Sequence, residues 1–432
     1  MEQERPEAQR QAIVAGIAGN VMEWYDFSVY GYFATTIGRL FFPAQDAVSS
    51  LLAAFGVFAA GFLMRPLGSL LFGHIGDKKG RKLALTASVA LMALPTFLIG
   101  ALPTYQQIGG WASVLLVLMR LLQGLSVGGE YTTSSIFLVE QSSSGRRGFL
   151  GSFAPLGASA GVLLGSAVGA AVTTIFDQSM VATWGWRVPF LFGFTIGLFG
   201  LYIRRHTIND EGSRGEQPHP ASPVREAFQT EWRTIGKLIA LGAVGSVGFY
   251  MSFVYITTYL RQIDHLTASK ALDINTIVMV ILLLLLPAVG RLSDQVGRKP
   301  VLLVATAGMF LLAWPLFWLL HHPNLSLMLV GQVGFAVLSA SFWGVIPATM
   351  VELVPVRVRC TVLSVGYNAG MAVLGGLTPV VAVYTISRSQ YDLSPAFLLM
   401  AAAAVSFVVV LGLRETFKMP LASAAAALAD AA

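Results

Sequence analysis

Two acidic residues, Glu23 and Asp26, lie within a stretch of apolar and aromatic residues, "GNVMEWYDFSVYGYF" at 19–33. A carboxylate at the depth of a bilayer costs about 3 kcal/mol even on permissive insertion scales, and such residues usually serve a function. The two acids are three residues apart, so a helix places them on similar faces. The chemistry open to them is to bind and release protons or to neutralise a buried cation.

Three further charged residues, Arg65, Arg120 and Glu130, also fall inside long apolar runs. At 1.5 Å of rise per residue, Arg120 lies at a depth where it can face Asp26. Arg65 lies at a depth where it can face either Glu130 or Glu23. We therefore expect an outer layer of Asp26 and Arg120, an inner layer of Glu130 and Arg65, and Glu23 between the two layers.

Three acids against two arginines leave one carboxylate without a fixed partner. An acid that exchanges its arginine partner between two conformations gains and loses a proton as it does so, which predicts proton coupling. Asp26 is the first candidate for the proton carrier, followed by Glu130 and then Glu23. The alternative is that these acids are neutral or form fixed ion pairs that orient helices.

The arginines also allow two interpretations each. Arg120 can bind a substrate carboxylate through its bidentate fork, or it can be the permanent partner of Asp26. Arg65 precedes Pro66, so it can bind substrate or stabilise a helix break at that point. Polar and aromatic groups of the second half of the chain are predicted to orient the same ligand. These groups are Tyr250, Tyr255, Trp343, Tyr367 and Asn368.

The sequence around these charges is that of a membrane protein. Of the 432 residues, 55% are hydrophobic and 12% are charged, and the mean hydropathy is +0.69. The charged share is about half that of a soluble domain. Apolar runs of about 20 residues predict twelve membrane spans, numbered 1 to 12 along the chain. They lie near 12–36, 51–73, 84–102, 112–139, 149–173, 186–204, 234–260, 272–291, 301–320, 326–351, 361–385 and 395–413.

Positive charge is distributed unequally between the two sides of these spans. The side with both chain termini carries 21 Lys and Arg residues and the opposite side carries five. This bias predicts that both termini are cytoplasmic. It also accounts for the net charge of +6 without a nucleic-acid partner. Cys360 is the single cysteine, so no intrachain disulfide is possible.

The chain divides into two similar halves. A polar linker at 205–233 separates six spans in 1–204 from six in 234–418, and 419–432 forms a short tail. The motif "GHIGDKKGRK" recurs as "GRLSDQVGRK" at an offset of 217, and a second pair of motifs recurs at an offset of 212. The recurring residues predict a duplicated gate at the cytoplasmic face. They are Gly73, Asp77, Gly80, Arg81, Glu140 and Arg147 in the first half, and Asp294, Gly297, Arg298, Glu352 and Arg359 in the second.

These motifs resemble those of the major facilitator superfamily, in which G-x-x-x-D-x-x-G-R-K lies between spans 2 and 3 and is echoed between spans 8 and 9. The stretches "GNVMEWYDF", "GFLMRPLGSLLFG", "RLLQGLSVGGEY" and "WGWRVPF" narrow the resemblance to the metabolite:proton symporters. The resemblance implies an all-α polytopic membrane protein with twelve transmembrane helices in two pseudo-symmetric six-helix bundles. A midplane cavity between the bundles would open alternately to each side of the cell inner membrane.

The resemblance further implies symport of a small metabolite and protons into the cell. An organic acid, like citrate, a dicarboxylate or shikimate, is favoured by Arg120, Arg65 and the span 11 stretch "GGLTPVVAVYTI". A zwitterionic osmolyte such as proline or betaine is the alternative, because the motifs of spans 1 and 4 fit those transporters equally well. We expect a monomer in the lipid bilayer with no enzymatic activity, cofactor or metal, since the sequence has no Walker A motif and no metal-spaced histidines.

Overall fold

The computed structural model describes the backbone of residues 4–69, 71–72, 81–143, 145–207 and 223–421. Within these, it describes the side chains of 17–69, 71–72, 87–143, 145–200 and 227–421. Three of the predicted gate residues, Gly73, Asp77 and Gly80, lie outside the described residues. Arg81 is described only as the first residue of a helix.

The first half of the chain forms six helical spans joined by short connections. Spans 1 to 6 are Glu4–Tyr32, Ala47–Ser69, Arg81–Ala101, Gly110–Glu140, Arg147–Ile175 and Arg187–Thr207. Short helices follow spans 1, 3 and 5 at Ala34–Phe41, Tyr105–Ile108 and Gln178–Met180. The last of these runs into a π-helical turn at Val181–Gly185.

The second half repeats this organisation after a short helix, Pro223–Thr230. Spans 7 to 12 are Trp232–Gln262, Ala268–Val296, Arg298–Leu320, Leu325–Leu353, Val356–Ser389 and Ser394–Gly412. Spans 7 and 11 each contain a π-helical turn, at Tyr250–Tyr255 and Met371–Gly375. Such turns are rare and occur frequently at functional sites.

All twelve predicted spans are helical, so the all-α prediction is confirmed. Nine helices among the described residues are long and apolar enough to cross a membrane, and two shorter apolar helices, Ala87–Ala101 and Arg187–Gly200, belong to spans 3 and 6. The predicted linker at 205–233 differs from the structure. Span 6 continues to Thr207, and the helix Pro223–Thr230 occupies the other end of that segment.

The predicted span 4 at 112–139 is one span in the structure, at Gly110–Glu140, but its helix is interrupted. Its helix stops at Ser126 and starts again at Glu130, with 127–129 between them. Two consecutive glycines occupy this break, and glycine is a poor helix former. A methyl group on Gly128 would lie 2.6 Å from the backbone nitrogen of Ser69, so glycine is also required for close packing here. The break makes Glu130 the first residue of a helix, where the dipole favours a negative charge.

Spans 2 and 4 are in backbone contact over three turns because glycines face each other across them. A methyl group on Gly124 would overlap the carbonyl of Gly61, and one on Gly68 would overlap the carbonyl of Leu125. Small residues at such positions let membrane helices approach closely. The contact fixes the positions of the arginines that these two spans carry.

The two halves meet along two pairs of helices, spans 5 and 8 and spans 2 and 11. The two pairs are equivalent under the pseudo-symmetry of the halves. Gly169 of span 5 faces Leu272 of span 8, and Gly376 of span 11 faces Phe62 of span 2. The charged side chains of spans 1, 2 and 4 lie beside this boundary.

Candidate functional site

Arg65 and Glu23 form an ion pair at the centre of the first half. Arg65 Nη2 lies 3.5 Å from Glu23 Oε1, and the two side chains are 0% and 4% exposed. Three rings surround the guanidinium, whose carbon lies 4.1, 4.6 and 5.7 Å from the ring centres of Phe62, Phe27 and Trp24. The buried cation is therefore stabilised by one carboxylate and by the faces of aromatic rings.

Asp26 and Arg120 are connected through two neutral side chains. The Thr96 hydroxyl donates to Asp26 Oδ2 at 2.5 Å, and Gln123 Nε2 donates to the Thr96 oxygen at 2.6 Å. Arg120 Nη1 donates to Gln123 Oε1 at 2.7 Å. Of the predicted outer layer, Asp26 and Arg120 interact electrostatically, and the hydrogen bonds between them run through Thr96 and Gln123. A change of charge at one end can reorient this buried chain of hydrogen bonds.

Asp26 faces the interior of the first half. It is 4% exposed, and a methyl group on Gly193 of span 6 would lie 3.2 Å from its Oδ1. Arg120 is covered by aromatic rings, with its guanidinium carbon 4.3 Å from the ring centre of Tyr30 and 4.7 Å from that of Phe27. These four elements, spans 1, 3, 4 and 6, enclose the chain of hydrogen bonds.

Sequence reasoning missed Thr96 and Gln123. Gln123 follows Arg120 by three residues, so the helical spacing was a usable signal that the two side chains meet. Thr96 lies in span 3, which supplied no charged residue, and no pattern in the sequence marks it. Both are at most 1% exposed.

Arg65 takes the second of the two partners that its depth allowed. The predicted inner pair was Arg65 with Glu130, whereas the structure places Glu23 beside Arg65. Glu130 instead begins the second helix of span 4 and lines a cavity together with Glu23. The two acids therefore open onto one space.

This cavity is a narrow space between the two halves. Its walls include Glu23, Glu130, Tyr131, Tyr367 and Asn368. The rings of Tyr131 and Tyr367 stack with their centres 4.5 Å apart and their planes at 11°, one from each half. Asn368 Nδ2 donates to the Gly128 carbonyl at 2.6 Å, which also joins the halves.

Four of the five predicted ligand-orienting residues of the second half lie near this centre. Besides Tyr367 and Asn368, Tyr250 stacks on Trp24 with ring centres 6.1 Å apart, and Trp343 packs against the tyrosine stack at the same separation. Tyr255 lies elsewhere, because the π-helical turn of span 7 directs it against Phe55 of span 2. The cavity and these rings form one central region, bounded by closed contacts above and below.

One set of contacts lies at the end of the bundle where span 1 begins and span 12 ends, here named the termini end. Asp294 accepts the backbone N–H groups of Gly148 and Phe149 at 2.8 and 2.9 Å, so a carboxylate of span 8 caps the amino end of span 5. Arg298 donates to Asp294 at 2.8 Å. Gly297 positions Arg298 through a backbone φ of 103°, which favours glycine.

Further ion pairs complete the closure of the termini end. Glu352 lies 3.2 Å from Arg298 and 3.6 Å from Arg147, the latter across the boundary between halves. Arg359 lies 2.5 Å from Glu140, also across the boundary. The structure thus brings together the predicted gate residues whose side chains it describes, in two sets of contacts.

The opposite end of the bundle is closed by neutral hydrogen bonds. The Tyr32 hydroxyl donates to the Phe253 carbonyl at 3.0 Å and accepts from Asn275 Nδ2 at 2.8 Å. Ser166 and Thr276 hydroxyls lie 2.8 Å apart. Each of these contacts joins the first half to the second, so the described halves touch at both ends of the bundle.

Comparison with known proteins identifies the family. A model of the sugar (and other) transporter family matches residues 11–210 and 206–428. The chain belongs to this family of transporters. It is 36% identical to the glycine betaine/proline/ectoine/pipecolic acid transporter OusA of Dickeya dadantii, over 98% of this chain and 86% of that protein. It is also 36% identical, with the same coverage, to the proline/betaine transporter of Escherichia coli K12.

Solved structures of the major facilitator superfamily share the fold of this transporter. The proton:xylose symporter XylE bound to 6-bromo-6-deoxy-D-glucose superposes with a TM-score of 0.74 at 16% identity, covering 98% of this chain and 99% of that one. A D-xylose-proton symporter superposes with a TM-score of 0.76, covering 94% and 98%. The transporter is therefore a multi-pass membrane protein of that fold.

Proposed function

We propose that this transporter carries a zwitterionic osmolyte such as proline or betaine together with protons, from the outside into the cell. The 36% identity to two proline/betaine-type transporters over 98% of the chain is the observation that carries this proposal. It favours the zwitterion, the alternative drawn from the sequence, over the organic acid.

The charges of the central region support the same choice. The organic-acid interpretation needs Arg120 and Arg65 to be available to substrate carboxylates. Arg120 instead donates to Gln123 and is covered by rings, and the positive charge of Arg65 is already balanced by Glu23, so a solute with a net negative charge would add an unbalanced charge. With three acids against two arginines, the region has no surplus of positive charge for a dicarboxylate or tricarboxylate, and unpaired buried charge is costly.

Proton coupling is assigned to Asp26 and its chain of hydrogen bonds. The Thr96 hydroxyl has one proton and two acceptors within reach, Asp26 Oδ2 at 2.5 Å and the Met92 carbonyl at 2.9 Å. When Asp26 takes up a proton, Thr96 can turn to Met92, and the change passes through Gln123 towards Arg120. Glu130 and Glu23 remain the second and third candidates for the proton carrier.

The direction of transport follows from topology. The termini end carries most of the Lys and Arg residues, so we assign it to the cytoplasm of a cell inner membrane and the opposite end to the outside. Opening of the opposite end admits the solute and a proton, and opening of the termini end releases both. The gate residues at the termini end hold that side shut during uptake.

The test is uptake into proteoliposomes with an imposed inward proton gradient. Glycine betaine, proline, citrate, 2-oxoglutarate and shikimate are compared, with Asp26→Asn beside wild type and Asp273→Asn, an exposed position, as the matched control. We expect betaine or proline to accumulate in wild type and control. Asp26→Asn is expected to exchange solute by counterflow without accumulating it.

Accumulation of citrate, 2-oxoglutarate or shikimate in place of betaine and proline would return the assignment to organic acids. Accumulation by Asp26→Asn equal to that of wild type would remove Asp26 from the coupling mechanism, whichever solute is carried.

A further inference from the structure

The ion pair of Glu23 and Arg65 is loosely made for a buried one. The two atoms are 3.5 Å apart, whereas charge-assisted hydrogen bonds are typically about 2.7–2.9 Å long. Within the described residues, none of the three guanidinium nitrogens of Arg65 donates a hydrogen bond, although all are buried. Buried charges of this kind are normally both paired and hydrogen-bonded. The donor capacity of Arg65 is therefore unused in this closed state.

The cavity next to this pair is lined by carboxyl groups, whereas Arg65 offers hydrogen-bond donors. Glu23 and Glu130 both line the narrow cavity between the halves, and the stacked rings of Tyr131 and Tyr367 form another part of its wall. Carboxylates and aromatic faces together favour a cationic group, including a quaternary ammonium. A cation-binding space thus lies on one side of Glu23 and a hydrogen-bond donor for anions on the other.

Two tyrosines of the second half border both features. Glu23 and Arg65 each interact electrostatically with Tyr250 and with Tyr367. The hydroxyl oxygens of both tyrosines are buried, and neither has a hydrogen-bond partner among the described residues. A ligand placed here would therefore contact the second half as well as the first.

We propose that a zwitterionic solute binds by inserting into the Glu23–Arg65 pair. Its carboxylate takes the guanidinium of Arg65 from Glu23, and its cationic group lies in the cavity against Glu23 and the Tyr131–Tyr367 stack. The inference rests on the proposed function and names the binding mode of its substrate. Glu23 and Arg65 are each other's partner while the solute is absent, so neither charge is left buried alone.

This arrangement makes selection for zwitterions a matter of charge pairing. A solute that has only a carboxylate separates Glu23 from the arginine beside it and brings no positive charge in exchange. A solute that has only a cationic group leaves Arg65 uncompensated. An unpaired buried charge is strongly unfavourable, so each class is rejected by a different member of the pair.

The test uses three solutes that differ in charge. Glycine betaine is the zwitterion, 3,3-dimethylbutanoate is its carbon analogue without the positive charge, and choline lacks the carboxylate. Binding is measured on the purified full-length protein in detergent. The melting temperature is followed as each solute is titrated, and the concentrations that give half of the maximal increase are compared. In wild type we expect glycine betaine to bind at least about tenfold more tightly than either analogue, the effect of one charged hydrogen bond or more.

The two halves of the pair are then removed separately. Glu23→Gln is expected to abolish the preference over 3,3-dimethylbutanoate while retaining the preference over choline. Arg65→Gln is expected to do the reverse. The controls are Glu231→Gln and Arg233→Lys, two neighbouring positions at the start of span 7, which should leave both preferences unchanged.

A Glu23→Gln protein that still prefers glycine betaine over 3,3-dimethylbutanoate by about tenfold would overturn the proposal. If Glu23→Gln fails to fold, Glu23→Asp serves instead, because it keeps the charge but withdraws it by one methylene. Glu23→Asp should bind glycine betaine more weakly and still discriminate against 3,3-dimethylbutanoate, and loss of that discrimination would count against the binding mode. If wild type binds neither betaine nor proline and accumulates another solute, the proposed function fails instead.

Discussion

The two ends of the bundle are closed by different chemistry. At the termini end, four carboxylates and three arginines meet across or beside the boundary between halves, namely Glu140, Asp294, Glu352 and Glu415 with Arg147, Arg298 and Arg359. At the opposite end, the described contacts between halves are hydroxyl, amide and carbonyl groups. The difference indicates that separating the halves costs more free energy at the termini end than at the opposite end.

The physical basis is the cost of breaking each kind of contact. Separating the halves at the termini end exposes buried charges that must find water or new partners. Neutral hydrogen bonds are exchanged for bonds to water at a net cost of only about 1 kcal/mol each. We therefore expect the opposite end to open first and more often when no solute is bound.

The largest effect is predicted for Glu352→Gln. This change leaves Arg147 and Arg298, which are 4% and 2% exposed, without their shared carboxylate, and such a loss costs about 3 kcal/mol. Amide hydrogen exchange of Gly148 and Phe149, which donate to Asp294, should accelerate by about a hundredfold. The measurement is hydrogen exchange by mass spectrometry on peptides from both ends.

The control for Glu352→Gln is Glu231→Gln, where the carboxylate accepts only from Thr234 within the described residues. An equal increase in hydrogen exchange in peptides from the two ends would contradict the comparison, because it would indicate destabilisation of the whole bundle and not of one end.

A smaller effect is predicted for Tyr32→Phe. The substitution removes the hydroxyl that bonds both Phe253 and Asn275, at a cost of about 1 to 2 kcal/mol. Exchange at the start of span 8 should accelerate by about tenfold, while the amide groups of Gly148 and Phe149 stay protected. An effect as large as that of Glu352→Gln would show that the opposite end is the stronger closure.

The smallest effect concerns pH at the opposite end. Asp264 Oδ1 lies 2.6 Å from Nδ1 of His321, and burial raises the pKa of Asp264 above the usual 3.8, against the lowering influence of His321 and His265. Asp392 adds to the increase. A raised pKa in the folded state means that the folded protein binds a proton more readily, so this group contributes stability at low pH that is lost as pH rises through its folded value.

As pH falls from 7 towards 4, the unfolding free energy of wild type should therefore rise relative to that of Asp264→Asn, which is measured as a higher melting temperature. The gain should be less than about 1 kcal/mol because His321 is 41% exposed. Both residues belong to the second half, so opening of the boundary should not follow this titration. A pH-dependent change in hydrogen exchange at Tyr32 that disappears in Asp264→Asn would contradict the assignment of that end as neutral.

Much of this organisation was predictable from the sequence, because it depends on long patterns. Twelve apolar runs and two offset repeats define the spans, the halves and the gate residues before any contact is known. The bond between Asp294 and Arg298 joins the end of span 8 to the start of span 9 across Gly297, so helical spacing alone does not predict it.

The pairing of central charges was not predictable in the same way. Depth along a helix gave Arg65 two possible acids and could not give its rotation about the helix axis, which decides between Glu23 and Glu130. Nor could depth reveal that Thr96 of a third helix stands between Asp26 and its arginine. Neutral side chains leave no signal in a charge pattern, so such connections appear only when the helices are assembled.

The contact between spans 2 and 4 has a mechanical consequence. Since no side chain separates their backbones at Gly61, Gly68 and Gly124, we expect the two helices to move as one rigid unit. Span 2 carries Arg65 and span 4 carries Arg120. If a solute binds at Arg65 as proposed, a displacement of span 2 there moves Arg120 as well, so these glycines would connect the proposed solute site to the proposed proton site.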